Sequence, residues 1–381
     1  AVVFKTVADP FGRISMMKVL SGTIRADEAL VNTRTRTDER IHQLFGLRGK
    51  DHLPLESAVA GDLVATAKLT ATTTGDTLAV KGLPVTVDVA PPPAAVLHVA
   101  IRPRSKGDED KLMTALHRLG DEDPTLRVRR EDETHQTILS GMGDTHLTVA
   151  VERLKRKFGV DVETGPVDVA YRETITRPAE AEGRFKKQTG GHGQFGVAVL
   201  RIEPLDRGEG TQFEDRVVGG AIPRQFIPAV EKGVVEAMAA GGHFGYPVVD
   251  VKVICLDGKY HPVDSSEMSF KTAGALALRD ALALAAPVLL EPVSLLTVQV
   301  PSAFQGDVLG DLNARRGRVQ ATSVDEAGRS TVEAIVPTAE LGRYAIDLRS
   351  ITGGRGSFTA THDHYDVVPA HVADRLSRAV Q

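Results

Sequence analysis

Twice in this chain of 381 residues the spacing of apolar side chains switches in the same order: strand, helix, strand, then strand, helix, strand. Such a switch between periods of 2 and 3.6 defines a split βαβ unit, a four-stranded sheet with both helices on one side. The first copy runs from residue 94 to about 162. In it Leu112, Leu116 and Leu119 form one helical face, and Leu147, Val151, Leu154 and Phe158 form another at i, i+4, i+7 and i+11. Ser140-Gly141-Met142-Gly143 joins the third strand to the second helix and places two permissive residues where the chain reverses. In the second copy a strand at 295–300 precedes a helix at 307–314, strands at 318–324 and 330–336, a helix at 339–350 and a strand at 357–361. Both units are expected to be ferredoxin-like.

The rest of the chain reads differently. Residues 1–90 are β-rich, with runs at 2–7, 13–20, 39–45 and 62–68 separated by turn signals such as Asp9-Pro10-Phe11-Gly12, which predicts a small barrel. Three prolines, Pro91-Pro92-Pro93, then hold a linker extended. Between the two split βαβ units lies another α/β unit, with strands at 197–202 and 248–256. One of its helices carries Phe226, Val230, Val234 and Met238, and a second, at 267–285, is nearly all Ala and Leu. The expected division is a barrel at 1–90, a ferredoxin-like unit at 94–165, the α/β unit at 169–290 and a second ferredoxin-like unit at 291–365. A tail helix at 367–381, striped by Val372 and Leu376, is expected to pack on the α/β unit. The fold class is multidomain α+β, since a chain of this length exceeds one ordinary core.

Several chemistries are excluded. The single cysteine, Cys255, lies in an apolar run and can form neither an internal disulfide nor a zinc cluster. Gly49-Lys50 is followed by Asp51 and Gly258-Lys259 by Tyr260, so no P-loop cradles a nucleotide. A net charge of −4 argues against one large basic surface for bare nucleic acid, leaving local patches at Arg184, Lys186 and Lys187 and at Arg315, Arg316 and Arg318. No apolar stretch approaches about 18 residues, so no membrane span is expected. The chain opens in a strand-like run without an initiator Met, which points to a processed or truncated product.

Three motifs invite function. Gly191-His192-Gly193-Gln194-Phe195-Gly196 satisfies GxGxxG, yet a strand follows it where a dinucleotide fold needs a helix, so it reads as a glycine-rich hairpin tip. Tyr260-His261-Pro262-Val263-Asp264-Ser265-Ser266-Glu267 holds His, Asp and Ser, but without flanking glycines it reads as a loop capping the next helix rather than a hydrolase site. In His362-Asp363-His364, alternation puts both histidines on one face with no further ligand nearby, and the expectation is no metal.

Several motifs in order resemble elongation factor G: Asp9-Pro10-Phe11-Gly12-Arg13, Thr72-Thr73-Thr74-Gly75-Asp76-Thr77, Ser140-Gly141-Met142-Gly143, Gly245-Tyr246-Pro247-Val248-Val249-Asp250, Val263-Asp264-Ser265-Ser266-Glu267, Pro287-Val288-Leu289-Leu290-Glu291-Pro292 and Arg315-Arg316-Gly317-Arg318. The resemblance covers essentially the whole chain and implies the family's second to fifth domains without its GTPase domain, the α/β unit being ribosomal-protein-S5-like. It implies no catalytic site and no cofactor in this chain, GTP and magnesium belonging to the full-length parent, a ribosome-dependent GTPase. The implied partners of a monomeric, cytoplasmic protein are the ribosome, through ribosomal RNA and ribosomal proteins, and the tRNA–mRNA pair in the decoding region. The implied contacts are at a tip formed by Gly190, Gly191, His192, Gly193, Gln194, Phe195 and Gly196 with Tyr260, His261, Pro262, Asp264 and Ser265. Ser140, Gly141, Met142 and Gly143 would relay motion between domains. The chain departs from the family at His192, where Arg is usual, at Val197, where His is usual, at Pro262, where Asp is common, and at Asp144-Thr145, where Glu-Leu is usual. The implied function is promotion of translocation, and the departures leave a paralogue for ribosome recycling, ribosome protection or stress as the alternative.

Overall fold

A computed structural model describes residues 1–9, 12–49, 51–188 and 193–380. The contacts divide the chain into two compact units, residues 1–168 with 342–354 and residues 169–341 with 355–381.

The first unit begins with a β-barrel. Five antiparallel strands follow the order Val2–Asp9, Gly12–Lys18, Leu63–Ala67, Leu44–Arg48, Asp51–Leu55, and two smaller sheets close the rest. Alternation sends Val3, Met17, Val19, Ile24, Leu30, Ile41 and Val64 into one core. The expected strand at 39–45 is in fact two, Thr37–Arg40 and Leu44–Arg48, in different sheets. At the break Ile41 stays buried while its backbone bonds the turn at Asp27 and Glu28, so an apolar run continues although the strand does not.

Two buried carboxylates organise the loop at 70–77. Glu39 accepts from the amides of Thr70 and Ala71 and the hydroxyls of Thr70 and Thr72. Asp76 accepts from Asn32 Nδ2 at 2.8 Å, from the Arg34 guanidinium and from the Thr73 amide. Burial pushes both groups up, and these donors outweigh it, holding both below the usual carboxylate range.

The split βαβ unit follows, with strand order Arg127–Arg130, Thr137–Gly141, Leu97–Pro103, Val162–Gly165. Its helices, Glu109–Glu122 and Asp144–Phe158, bury the predicted Leu112, Leu116, Leu119, Leu147 and Leu154 on one face of the sheet. Gly159, in the left-handed region at φ 69°, ends the second helix as a C-cap that an L side chain would strain.

In the second unit a four-stranded sheet runs Ala179–Lys187, Gln194–Pro204, Val251–Lys259, Thr211–Asp215. Helices Ile227–Ala240 and Glu267–Leu284 cover one face, the second entering through Ser266, whose hydroxyl accepts the Ser269 amide. Gly183 lets that helix reach the sheet, since a Cβ there would collide with the Ala273 carbonyl and the Ala277 amide. The 15-residue strand Pro287–Pro301 pairs first with Arg172–Ile175 and then with Arg329–Pro337, while Ser357–Val367 runs along its other side. The tail helix Ala370–Val380 brings Val372 and Leu376 against Tyr171, Leu289, Phe244 and Tyr246.

Candidate functional site

Both tip segments lie at one end of the second unit's four-stranded sheet because the strands place them there. Ala179–Lys187 and Gln194–Pro204 form a hairpin whose last pair is Lys187 with Gln194, and Val197 pairs with Lys259 on the third strand. The chain therefore leaves that strand at Tyr260 beside the hairpin end. Gly190, Gly191 and His192 lie outside the described residues.

Between Gly193 and Ser265 the two segments are laced together. Gly193 N–H donates to Asp264 Oδ1 at 3.0 Å, and Phe195 N–H donates to the Asp264 carbonyl at 2.8 Å. Ser265 donates its hydroxyl to the Phe195 carbonyl and accepts the His261 amide, each at 2.8 Å. That hydroxyl is a lock between loops and not a nucleophile poised on the His261 ring. His261 Nδ1 faces both the Asp264 amide at 3.2 Å and the Asp264 carboxylate at 3.3 Å, which turns the ring back onto its own loop. The ring stands edge-on to Phe195 at 6.4 Å and is half exposed. Gly196 is buried against the backbone of Ser269. Tyr260, His261, Pro262 and Gln194 are exposed around this scaffold.

Ser140, Gly141, Met142 and Gly143 form a different kind of site in the first unit. Ser140 Oγ is 2.7 Å from His98 Nδ1, and burial followed by the charge of Arg129 pushes His98 down. Met142 N–H donates to His146 Nδ1 at 3.1 Å, placing the ring proton on Nε2, which faces Asp123 Oδ2 at 3.0 Å. Burial raises Asp123, but the Thr125 hydroxyl and amide and the His146 ring hold it below the usual range. Arg349 donates to the Met142 carbonyl at 3.3 Å and lies against Gly143. Neither Arg349 nor His146 is signalled by the sequence, because both sit in unremarkable helical positions.

The two basic patches separate. Arg316 forms a bidentate pair with buried Glu291, at 2.6 and 2.9 Å, and a third bond to Glu340; these hold its guanidinium above its ordinary value despite burial. Arg315 pairs with Asp311 at 2.8 Å and reaches the Glu340 carbonyl. Only Arg318 of that trio is an exposed cation, so this patch is chiefly a structural clamp. Arg184, Lys186 and Lys187 are all exposed and form no ion pair among the described residues.

His362 and His364 pair with Ser294 and Val293, consecutive residues of the neighbouring strand, because a bulge at Asp363 interrupts the alternation. The expectation that both lie on one face is thus corrected. Among the described residues no group of three or more His, Cys, Asp or Glu is placed to hold a metal, and no helix is long and apolar enough to cross a membrane. Burial and the nearby Asp215 and Asp257 push the Cys255 thiol up to about 12.

Four family models match the chain in series. They are described as elongation factor G domain 2 over residues 1–81, domain III over 92–166, domain IV over 167–286 and the elongation factor G C-terminus over 288–376. A crystal structure of a protein from Thermus thermophilus is similar along 100% of this chain, with 38% identity and a TM-score of 0.81. The chain spans 57% of the length of that Thermus protein.

Proposed function

The chain belongs to the elongation factor G family, and from that premise we propose that it is the ribosome-engaging body of a GTP-dependent translocase. The observation that carries this reading is the unbroken series of four domains of one translation factor. The laced tip adds a physical reason. A protein that must accept every codon needs a rigid end that recognises shape and backbone rather than base sequence, and loops tied by their own backbone groups provide one. In this reading the tip meets tRNA and mRNA in the decoding region, the other domains touch ribosomal RNA and ribosomal proteins, and the protein works as a monomer in the cytoplasm. GTP and magnesium are handled by a GTPase domain of the full-length parent. Co-sedimentation of the chain with ribosomes at moderate salt tests this; absence of binding to either subunit or to the joined ribosome overturns it.

A second reading, a paralogue for recycling, protection or stress, is favoured by one observation. Val197, where the family usually has His, is only 2% exposed and offers no polar contact. Replacing His192 by Arg and Val197 by His in the full-length protein should raise translocation rate if that reading holds. An unchanged rate counts against it.

A further inference from the structure

At one end of the first unit's split βαβ sheet lies a cavity of ≈ 520 Å³. Strand register builds it. Arg130 pairs with Thr137, Thr137 with Ile101 and Ile101 with Thr164, so one row of residues crosses all four strands, and every member of the row lines the cavity. The helix Glu109–Glu122 begins beside this row and adds Glu109, Leu112 and Met113. Ile101 and Leu112 belong to the buried core and Met113 packs against it, so the cavity opens onto apolar side chains. It lies at the far end of the strand Thr137–Gly141 from Met142 and Gly143.

The walls are tied to one another. Gln136 Oε1 accepts the Asp168 amide at 2.8 Å, and the Gln136 carbonyl accepts the Glu131 amide at 2.8 Å. The turn at 131–136 is thereby fixed to the segment that follows the strand Val162–Gly165. Charge is distributed unevenly around the opening. Arg102 and Glu163 neutralise each other at 2.9 Å. Beside the exposed His135, three lining charges remain, Arg130 on one side and Glu109 and Asp168 on the other, and none has an ion-pair partner among the described residues. A phosphate ester or other pure anion would bring the guanidinium its partner but face two carboxylates. A pure cation would face the guanidinium. Only a molecule carrying both signs is matched on both sides.

We propose that this cavity binds a small zwitterion with an apolar body, of the size and chemistry of an apolar dipeptide. Arg130 takes its carboxylate, Glu109 and Asp168 take its ammonium group, and Ile101, Leu112 and Met113 receive its side chains. The volume falls within the roughly 300–1,000 Å³ of small-molecule sites, which pair an apolar wall with a few placed polar groups. This site goes beyond the translation-factor reading and does not depend on it.

The test is titration of the chain, labelled with ¹³C at its methionine methyl groups, with the dipeptide Leu-Leu at millimolar concentration. Met113 lines the cavity and the other methionines do not, so its signal, assigned with Met113→Leu, should shift alone. Arg130→Gln should weaken Leu-Leu binding about ten- to a hundredfold, the loss of a hydrogen bond to a charged group, and leave the weaker binding of Leu-Leu amide unchanged. The double variant E109Q/D168N should weaken Leu-Leu and leave N-acetyl-Leu-Leu unchanged. These two variants alter different elements, and melting curves show which of them fold, so either one carries the test.

Absence of a Met113 shift with Leu-Leu overturns the proposal, as do equal shifts at all methionines, which would mean unspecific apolar binding. Binding of the amide or of the acetylated dipeptide as tightly as Leu-Leu would overturn the assignment to a zwitterion.

Discussion

Gly193 and Asp264 lie 71 residues apart and are joined by a hydrogen bond of 3.0 Å from the glycine amide to the aspartate carboxylate. With the Phe195 amide on the Asp264 carbonyl, this bond makes two separate loops into one surface. Asp264→Ala should release the Gly193 amide at a cost of about 1 kcal/mol to stability. Hydrogen exchange at Gly193 should quicken well before global unfolding, and Asp264→Asn should restore much of the protection. Unchanged exchange in the alanine variant would show that the loops are held by other means.

The barrel should be acid-sensitive. Glu39 and Asp76 have folded-state pKa values below their unfolded ones, so their contribution is full above the unfolded values and is lost as pH falls through the folded ones. The urea midpoint should therefore drop as pH falls below about 4. Asp76→Asn should flatten that dependence while lowering the midpoint at neutral pH by the equivalent of about 2–3 kcal/mol, since Arg34 and Thr73 lose a charged acceptor. A pH profile identical to that of the unaltered chain would contradict this.

Arg316 and Glu291 offer a stability test elsewhere. Removing the guanidinium leaves a carboxylate only 3% exposed without its charge partner, and Arg316→Ala should cost about 3–5 kcal/mol. Lysine should rescue little, because a single ammonium cannot make the two parallel bonds at 2.6 and 2.9 Å. Denaturant titration of the three proteins measures both effects.

Cys255 should report unfolding. Its thiol is fully buried and pushed up to about 12, so it stays protonated and shielded at pH 8. Labelling by a disulfide reagent should follow the opening rate of the second unit and accelerate in any variant that destabilises it, such as Gly183→Ala, whose added methyl meets the backbone of Ala273. Rapid labelling of the native chain would mean that the surrounding core opens easily.

Periodicity made the repeating elements legible. Leu112, Leu116 and Leu119 are buried on one helical face as their spacing implies, and of the two serines in the loop expected to cap the next helix it is Ser266 that does so. Misreadings fall where the backbone turns without a change in hydrophobicity. Ile41 and Leu44 enter the same core from either side of a strand break. The strand expected at 248–256 begins only at Val251, because Asp250 takes φ 56° and uses its carboxylate to hold the amides of Gly208 and Gly210. The final strand continues past its expected end to Val367 by absorbing Asp363 as a bulge.

The tip residues stood out by composition, but the lacing did not, since it depends on register between strands distant in sequence. Nor does residue type reveal which carboxylates are internal. Glu39, Asp76 and Glu291 are buried because donors from other segments converge on them, and no local pattern records such convergence.

The strand Pro287–Pro301 has a mechanical consequence. At about 3.3 Å per residue it extends roughly 50 Å, and both of its ends are hydrogen-bonded to neighbours, Arg172–Ile175 at the start and Arg329–Pro337 at the finish. Rotating the sheet at one end cannot leave the other behind without tearing a ladder of backbone bonds. Within the second unit, force applied at the C-terminal sheet is delivered to the base of the tip as through a stiff spar, with elastic loss confined to bending.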